Sequence, residues 1–113
     1  QARIEVSYTD LAEMEAFANQ YTRAHWGRTY PLREFAMYCV AMRREVIDLI
    51  GPLDERYSVG MFEDDDYAFR VRQAGYKILC AQDAFIHHHN MSAFKTLPKE
   101  QYLELFYENR RKF

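Results

Sequence analysis

The chain has 113 residues, of which 49% are hydrophobic, 28% are charged and 16% are aromatic. This length allows one domain with a single modest core. The net charge of −2 excludes a protein that binds nucleic acid or an anionic membrane through its overall charge. The many aromatic side chains indicate either a thick core or surfaces that stack against a flat ligand such as a sugar or a base.

The sequence also bears on the compartment and the completeness of the chain. No apolar run approaches the roughly 20 residues that a membrane-spanning helix needs, and no signal-peptide pattern opens the chain. Cys39 and Cys80 lie in apolar segments without CxxC spacing, which favours buried, reduced thiols in a cytoplasmic protein. A single disulfide is the alternative. Because the chain begins at Gln1 rather than Met, we expect a piece of a longer protein.

The first predicted element is a helix from about Asp10 to about Ala24. Asp10 and Glu13 have the spacing of a capping box. Apolar residues then recur at helical spacing: Leu11, Met14, Ala18 and Tyr21. Segment 3–8 ahead of this helix alternates weakly, as a short strand or a lead-in does. Segment 25–31 behind it is predicted to be a loop, rich in aromatic and polar groups.

A buried strand and a second helix are predicted next. The almost continuous apolar run 35–42 is typical of a strand that is covered on both faces. Residues 43–50 form a short helix with its apolar side chains on one side. Gly51 ends this helix in the left-handed conformation, and Pro52 prevents its continuation.

An acidic run, Glu63-Asp64-Asp65-Asp66, stands at the start of the third predicted helix, 64–74. The helix dipole stabilises negative charge in a first turn. Asp66 also precedes Arg70 by four residues, which is the favourable order for an ion pair. Two carboxylates would suffice for an ordinary charged surface turn, whereas four indicate a cation, or a proton to be removed, beside them.

Two more strands, 76–80 and 84–88, and a last helix from Pro98 to about Arg110 complete the prediction, with loop between 90 and 96. The alternation of strands with helices predicts an α/β architecture with few strands and three to four helices. The last helix has one predicted inward face: Tyr102, Leu105, Phe106 and Asn109.

Three consecutive histidines, His87, His88 and His89, end the last predicted strand. One imidazole together with distant carboxylates can complete the ligand shell of a divalent ion; a polar strand end is the alternative. The acidic run lacks the ligand alternation of a calcium-binding EF-hand loop. The chain also has no Gly-rich phosphate loop, no G-x-S-x-G and no HExxH motif.

Three sequence blocks follow one another in the second half of the chain: Ile50–Tyr57, Glu63–Ile78 and Ala84–His88. The first reads Ile-Gly-Pro-Leu-Asp-Glu-Arg-Tyr and is closely preceded by Arg-Arg-Glu-Val-Ile. The second contains the acidic run, and the third reads Ala-Phe-Ile-His-His. In this order and spacing they resemble the C-terminal half of a family 2 glycosyltransferase of the GT-A fold, over about residues 38–94. A similar Gly…Glu-Asp-Asp-Asp motif occurs in the C-terminal domain of galactosyltransferases. The resemblance implies that residues 1–113 are one domain, the acceptor-side part of a GT-A catalytic domain. The nucleotide-binding N-terminal half, with its D-x-D motif, is absent.

The resemblance also implies roles for the acidic run. Asp64 would be the general base that deprotonates an acceptor hydroxyl, which attacks the anomeric carbon of a nucleotide-sugar with inversion. Glu63 and Asp65 would bind the acceptor. Asp66 and Arg70 would brace the helix. His88 would contact the divalent metal, Mg²⁺ or Mn²⁺, or the diphosphate, with His89 as the alternative.

Further expectations concern the state of the chain and its partners. The isolated piece is expected to be inactive, whereas the full-length enzyme would bind a nucleotide-sugar donor and a hydroxyl acceptor. The protein would be cytoplasmic, and the full-length enzyme would be peripheral to the membrane. Two copies are expected to pair through the aromatic helices. The competing hypothesis is a non-catalytic protein-interaction module with a solvated acidic helix cap, and the third is a metal-dependent hydrolase.

Overall fold

A computed structural model of the chain describes residues 3–58, 60–88 and 97–113. Within these ranges the chain forms four α-helices, one 3₁₀ turn and a two-stranded sheet. In chain order the elements are α1 (Leu11–Ala24), β1 (Thr29–Leu32), α2 (Arg44–Ile50), the 3₁₀ turn Glu55–Tyr57, α3 (Glu63–Gln73), β2 (Ile78–Ala81) and α4 (Lys99–Lys112). This mixture of helices and strands confirms the predicted α/β class at a coarse level. None of the described helices is both long and apolar enough to cross a membrane.

The start of α1 shows the predicted capping interaction in a modified form. An Asp10 carboxylate oxygen accepts the Glu13 backbone N–H at 2.8 Å. The Glu13 carboxylate accepts the backbone N–H of Thr9 at 2.8 Å and its hydroxyl at 3.0 Å, so it reaches one residue beyond the usual partner. These bonds to Thr9 lower the pKa of Glu13.

The sheet joins two segments that are far apart in sequence. β1 and β2 are antiparallel, with Tyr30 opposite Cys80 and Leu32 opposite Ile78. These four side chains are half-buried, and the alternate residues of both strands are exposed. The hydrogen bond with the Cys80 side chain raises the pKa of Tyr30 to about 12. The prediction of a loop over 25–31 missed the start of β1.

Two predicted strands are wrong. Segment 35–42 contains a turn and no strand; Phe35, Met37 and Met42 pack against the core, while residues 38–41 are exposed. Segment 84–88 is irregular as well, and neither a strand nor a helix forms over 3–8. Apolar residues were the reason for the first of these predictions. Only part of this run packs against the core, and it does so without a hydrogen-bonded neighbouring strand. The predicted loop 90–96 lies outside the described residues.

The core lies between α2 and α3. Its buried centre consists of Val46 from α2 with Tyr67 and Val71 from α3. Half-buried residues surround this centre: Phe35, Met37, Met42, Ile50, Tyr76 and Ile78. The two helices therefore pack together through the buried side chains of Val46, Tyr67 and Val71.

The molecule is a thin slab of 42 × 38 × 18 Å. Its radius of gyration is 16.6 Å, whereas a compact domain of this length has about 13 Å. The accessible surface of 9019 Å² exceeds by about 2400 Å² the value typical of a monomer of this mass. The described parts of the chain therefore leave more surface accessible to water than a compact domain of this mass does.

Arg70 links α3 to the end of α2. Its Nε donates to Asp66 at 2.8 Å, so the predicted ion pair is confirmed. Its two terminal nitrogens donate to the carbonyl oxygens of Ile50, at 2.8 Å, and Pro52, at 3.1 Å. The guanidinium also lies 4.8 Å from the centre of the Tyr67 ring. One side chain thus satisfies a carbonyl at the end of α2 and neutralises one of the four carboxylates of α3.

We expect Arg70→Lys to lower the free energy of unfolding by about 1–3 kcal/mol, because a lysine cannot reproduce the planar fork that reaches three acceptors at once. Urea denaturation followed by circular dichroism measures this loss. Arg72→Lys, at an exposed position of the same helix, is the matched control and should change stability by about 0.5 kcal/mol or less. Equal effects of both substitutions would show that the fork is not needed.

Candidate functional site

The candidate site is built on the first turn of α3, which we call the acidic turn (Glu63–Asp66). All four of its side chains are half-buried rather than solvated. The chain enters this turn through Gly60, Met61 and Phe62, with φ angles of 125°, 74° and 72°. Phe62 occupies the N-cap position in the left-handed conformation and provides no capping side chain. The backbone before α3, rather than a capping side chain, therefore sets where the four carboxylates begin.

Asp64 and Asp65 line a broad groove of about 1560 Å³. We call it the aromatic groove because rings form much of its wall: Tyr21, Tyr30, Phe35, Tyr38, Phe62, Tyr76, Phe85, Tyr102 and Phe106. Three cationic side chains, Arg3, Arg43 and Lys77, also line it, as does Glu34. The groove thus combines flat apolar surfaces with two carboxylates from one helix start, which is the kind of surface that can bind a ring bearing hydroxyl groups.

The two carboxylates that line the groove have different surroundings. An Asp64 oxygen accepts the Asp65 backbone N–H at 3.0 Å. Partial removal from water raises the pKa of Asp65, and the neighbouring charges of Asp64, Glu34 and Glu63 raise it further. Asp65 is therefore the carboxylate that gains most from a hydrogen-bond donor or a cation in the groove.

Glu63 differs from Asp64 and Asp65 in its surroundings. It is not among the described residues that line this cavity. Its Oε2 is buried and has no hydrogen-bond partner within the described chain. A buried, unsatisfied carboxylate oxygen is unfavourable. The structure thus separates Glu63 from Asp64 and Asp65, although the sequence placed Glu63 and Asp65 in one acceptor-binding role.

The histidines lie beside the groove rather than within the acidic turn. The His88 ring is exposed and stacks on the groove residue Tyr38, with ring centres 4.3 Å apart and planes at 6°. His87 Nδ1 lies 2.6 Å from the Tyr8 hydroxyl oxygen. His89, the alternative metal contact, lies outside the described residues. Over the described ranges, no group of three or more His, Cys, Asp or Glu side chains is placed to hold a metal ion.

Asn109 of α4 is a residue whose role sequence reasoning missed. It is completely buried, and its amide donates to the carbonyl oxygens of Tyr57, at 2.8 Å, and Gly60, at 2.7 Å. Lys112 Nζ donates to the Arg56 carbonyl at 2.7 Å and to the Asn109 side-chain oxygen at 3.0 Å. The signal was an amide on the otherwise apolar face predicted for the last helix. Its partners could not be inferred, because they lie about fifty residues away in sequence.

The comparisons with known proteins do not assign this chain to a family. No protein-family model, no curated protein and no solved structure matches it.

We expect Asp65→Asn to stabilise the protein at neutral pH, by about 0.5 kcal/mol once solvent screening is considered, because it removes one of several repelling charges. Since the folded state raises the pKa of Asp65, the wild type loses stability as the pH rises through that pKa. The advantage of the variant should therefore disappear at acidic pH, where Asp65 is protonated in both states. Denaturation midpoints between pH 3 and pH 7 measure this difference.

Asp48→Asn, which removes an exposed carboxylate of α2, is the control for the loss of one negative charge. It should not stabilise the protein at any pH in this range. A stability difference for Asp65→Asn that does not depend on pH would contradict the electrostatic explanation.

Proposed function

We propose that this chain is the acceptor-side portion of an inverting glycosyltransferase, with Asp64 as its general base. One observation carries the proposal. The acidic turn, whose sequence resembles the family 2 motif, directs Asp64 and Asp65 to an aromatic groove rather than to bulk solvent. A solvated helix cap would expose these carboxylates, and an ordinary packing domain would not place them along a cavity.

The proposed reaction transfers one proton and exchanges one bond. An Asp64 oxygen accepts the proton of the acceptor hydroxyl while the hydroxyl oxygen forms a bond to the anomeric carbon. The bond from that carbon to the phosphate oxygen breaks, and the nucleoside diphosphate leaves with the electron pair. Attack opposite the leaving group inverts the anomeric centre. The Asp65 N–H orients the base by donating to one of its carboxylate oxygens.

The remaining groove residues support the binding of a hydroxyl-bearing ring. Partial removal from water raises the pKa of Asp65, and the neighbouring charges raise it further. An acceptor hydroxyl that donates to the Asp65 carboxylate would stabilise its charged form. Aromatic walls such as Tyr38 and Tyr76 offer flat surfaces for a sugar ring. Asp66 is paired with Arg70 and serves to brace the helix.

The divalent metal that the resemblance implies does not fit the described residues by themselves. His88 stacks on Tyr38, and no set of three ligating side chains surrounds it in the described parts. We therefore assign no step of the reaction to a metal held by this chain. Cys39, which is exposed rather than buried as predicted, and Cys80 are both free thiols, which supports a cytoplasmic location.

A protein-interaction module is the second candidate. The slab shape and the surplus of accessible surface favour it, because surfaces of this kind commonly contact another polypeptide. Pairing of two copies through the aromatic helices belongs to this hypothesis. It does not require Asp64 to be ionised or to lie beside a cavity.

In the full-length parent protein, we expect Asp64→Asn to reduce kcat for sugar transfer by about 10²–10⁴-fold, since an amide cannot accept the proton. The thermal midpoint and the donor affinity should change little. Product formation with a panel of nucleotide-sugars and hydroxyl acceptors measures the effect. Asp48→Asn, far from the acidic turn in sequence and exposed, should retain wild-type kcat. Unchanged transfer by Asp64→Asn would exclude Asp64 as the base.

The chain alone should bind nucleotide-sugars weakly, with a Kd above about 1 mM, which corresponds to less than about 4 kcal/mol of binding free energy. The reason is that its described residues assemble no metal group, and the carboxylates of the acidic turn repel a diphosphate. Calorimetric titration with UDP-sugars and Mn²⁺ tests this expectation. Micromolar binding would contradict the assignment to the acceptor side.

A further inference from the structure

We propose that Asn109 and Lys112 of α4 are positioning residues that hold the acidic turn in its place along the aromatic groove. This inference rests on the proposed function in one respect, because it gives the placement of Asp64 a purpose. Its structural content concerns the segment that leads into α3. We call this segment, residues 56–58 and 60–62, the entry turn.

Asn109 fixes the middle of the entry turn. Tyr57 and Gly60 already form a tight turn, in which the Gly60 N–H donates to the Tyr57 carbonyl at 3.1 Å. The Asn109 amide donates to both of their carbonyl oxygens, so the spacing of these two groups is locked to a fully buried side chain. Lys112 completes the arrangement by satisfying the Asn109 side-chain oxygen. A buried amide with all these partners satisfied is well suited to specify one conformation.

Lys112 and the rings of Phe106 and Phe113 fix the two ends of the entry turn. At one end, Lys112 donates to the Arg56 carbonyl. At the other, the Phe62 ring lies 5.2 Å from that of Phe106 and 5.8 Å from that of Phe113, measured between ring centres. The last part of α4, together with Phe113 directly after it, therefore contacts the entry turn at Arg56, Tyr57, Gly60 and Phe62.

The entry turn needs external support because its backbone is strained. Ser58, Met61 and Phe62 have φ angles of 50°, 74° and 72°. Residues other than glycine adopt such positive φ angles only at an energetic cost, which the surrounding structure has to offset. Conversion of these residues to negative φ would redirect the chain immediately before Glu63. α3 has no side-chain cap that would keep its start in place, so its first turn would follow the change.

A change in the conformation of the entry turn would alter the surroundings of the carboxylates in the acidic turn. Asp64 and Asp65 are half-buried next to like charges, and a frayed first turn lets them separate and enter water. The contacts from α4 oppose this relaxation. Asn109 and Lys112 thus maintain the orientation of Asp64 without touching it.

Carboxyl carbon NMR titration of Asp65 in the chain itself tests the positioning role. Among the groups that act on Asp65 are Asp64, Glu34 and Glu63, and all three remain in Asn109→Ala. We expect this variant to lower the pKa of Asp65 toward the ordinary value of about 3.9, because the released turn exposes the carboxylate. Val46→Ala, which removes core methyl groups between α2 and α3, is the control. It should lower the thermal midpoint and leave the pKa of Asp65 in place.

An unchanged Asp65 pKa in a folded Asn109→Ala protein would overturn the inference and leave Asn109 as a stabilising residue only. Should Asn109→Ala fail to fold, Lys112→Gln provides the second test. Loss of a positive charge alone raises carboxylate pKa values, whereas release of the turn lowers them. A fall in the Asp65 pKa therefore supports positioning, and a rise or no change refutes it.

The two proposals fail separately. The titration does not measure sugar transfer. If the Asp65 pKa falls in Asn109→Ala but Asp64→Asn transfers sugar at the wild-type rate, the proposed general base is refuted and the positioning role is retained. If Asp64→Asn loses sugar transfer but the Asp65 pKa is unchanged in the α4 variants, the general base is supported and the positioning role is refuted.

Discussion

Mutual repulsion among four half-buried carboxylates is the constraint that the rest of the structure has to meet. The acidic turn places them within one turn of helix, where charges are only partly screened by water. Three features offset the repulsion: the helix dipole at the start of α3, the ion pair between Asp66 and Arg70, and the hydrogen bond that the Asp65 backbone N–H donates to Asp64. The same Arg70 also joins α3 to α2, so charge balance and packing of the core depend on one side chain.

The helices could be predicted from the sequence because their signals are local. Capping by Asp10, termination at Gly51 and apolar spacing placed all four helices to within a few residues. The sheet could not be predicted in the same way. Its strands pair Thr29 with Ala81 across about fifty residues, and the apolar run 35–42 carried a strand-like pattern without forming a strand. Apolar composition reports burial, whereas strand formation depends on a partner that the local sequence does not specify.

In the candidate site too, the features with a local sequence signal could be predicted, whereas those that depend on distant residues could not. Charge density alone identified the acidic turn, and spacing alone identified the Asp66–Arg70 pair. The burial of the Glu63 carboxylate outside the groove lining and the stacking of His88 on Tyr38 depend on long-range packing and were not foreseeable. Asn109 illustrates the limit most clearly, since its side chain acts on carbonyl groups that any residue type would present. The role of Asp64 as general base and the roles of Glu63 and Asp65 in acceptor binding stay predictions.

The thinness of the molecule has a thermodynamic consequence. Unfolding a chain that already exposes this much apolar surface brings comparatively few new groups into contact with water. Hydration of newly exposed apolar groups is the source of the heat-capacity increment of unfolding and of the steepness of denaturant curves. The isolated slab should accordingly melt over a wide temperature interval, with a shallow stability curve, and association that covers part of its accessible surface would sharpen that transition.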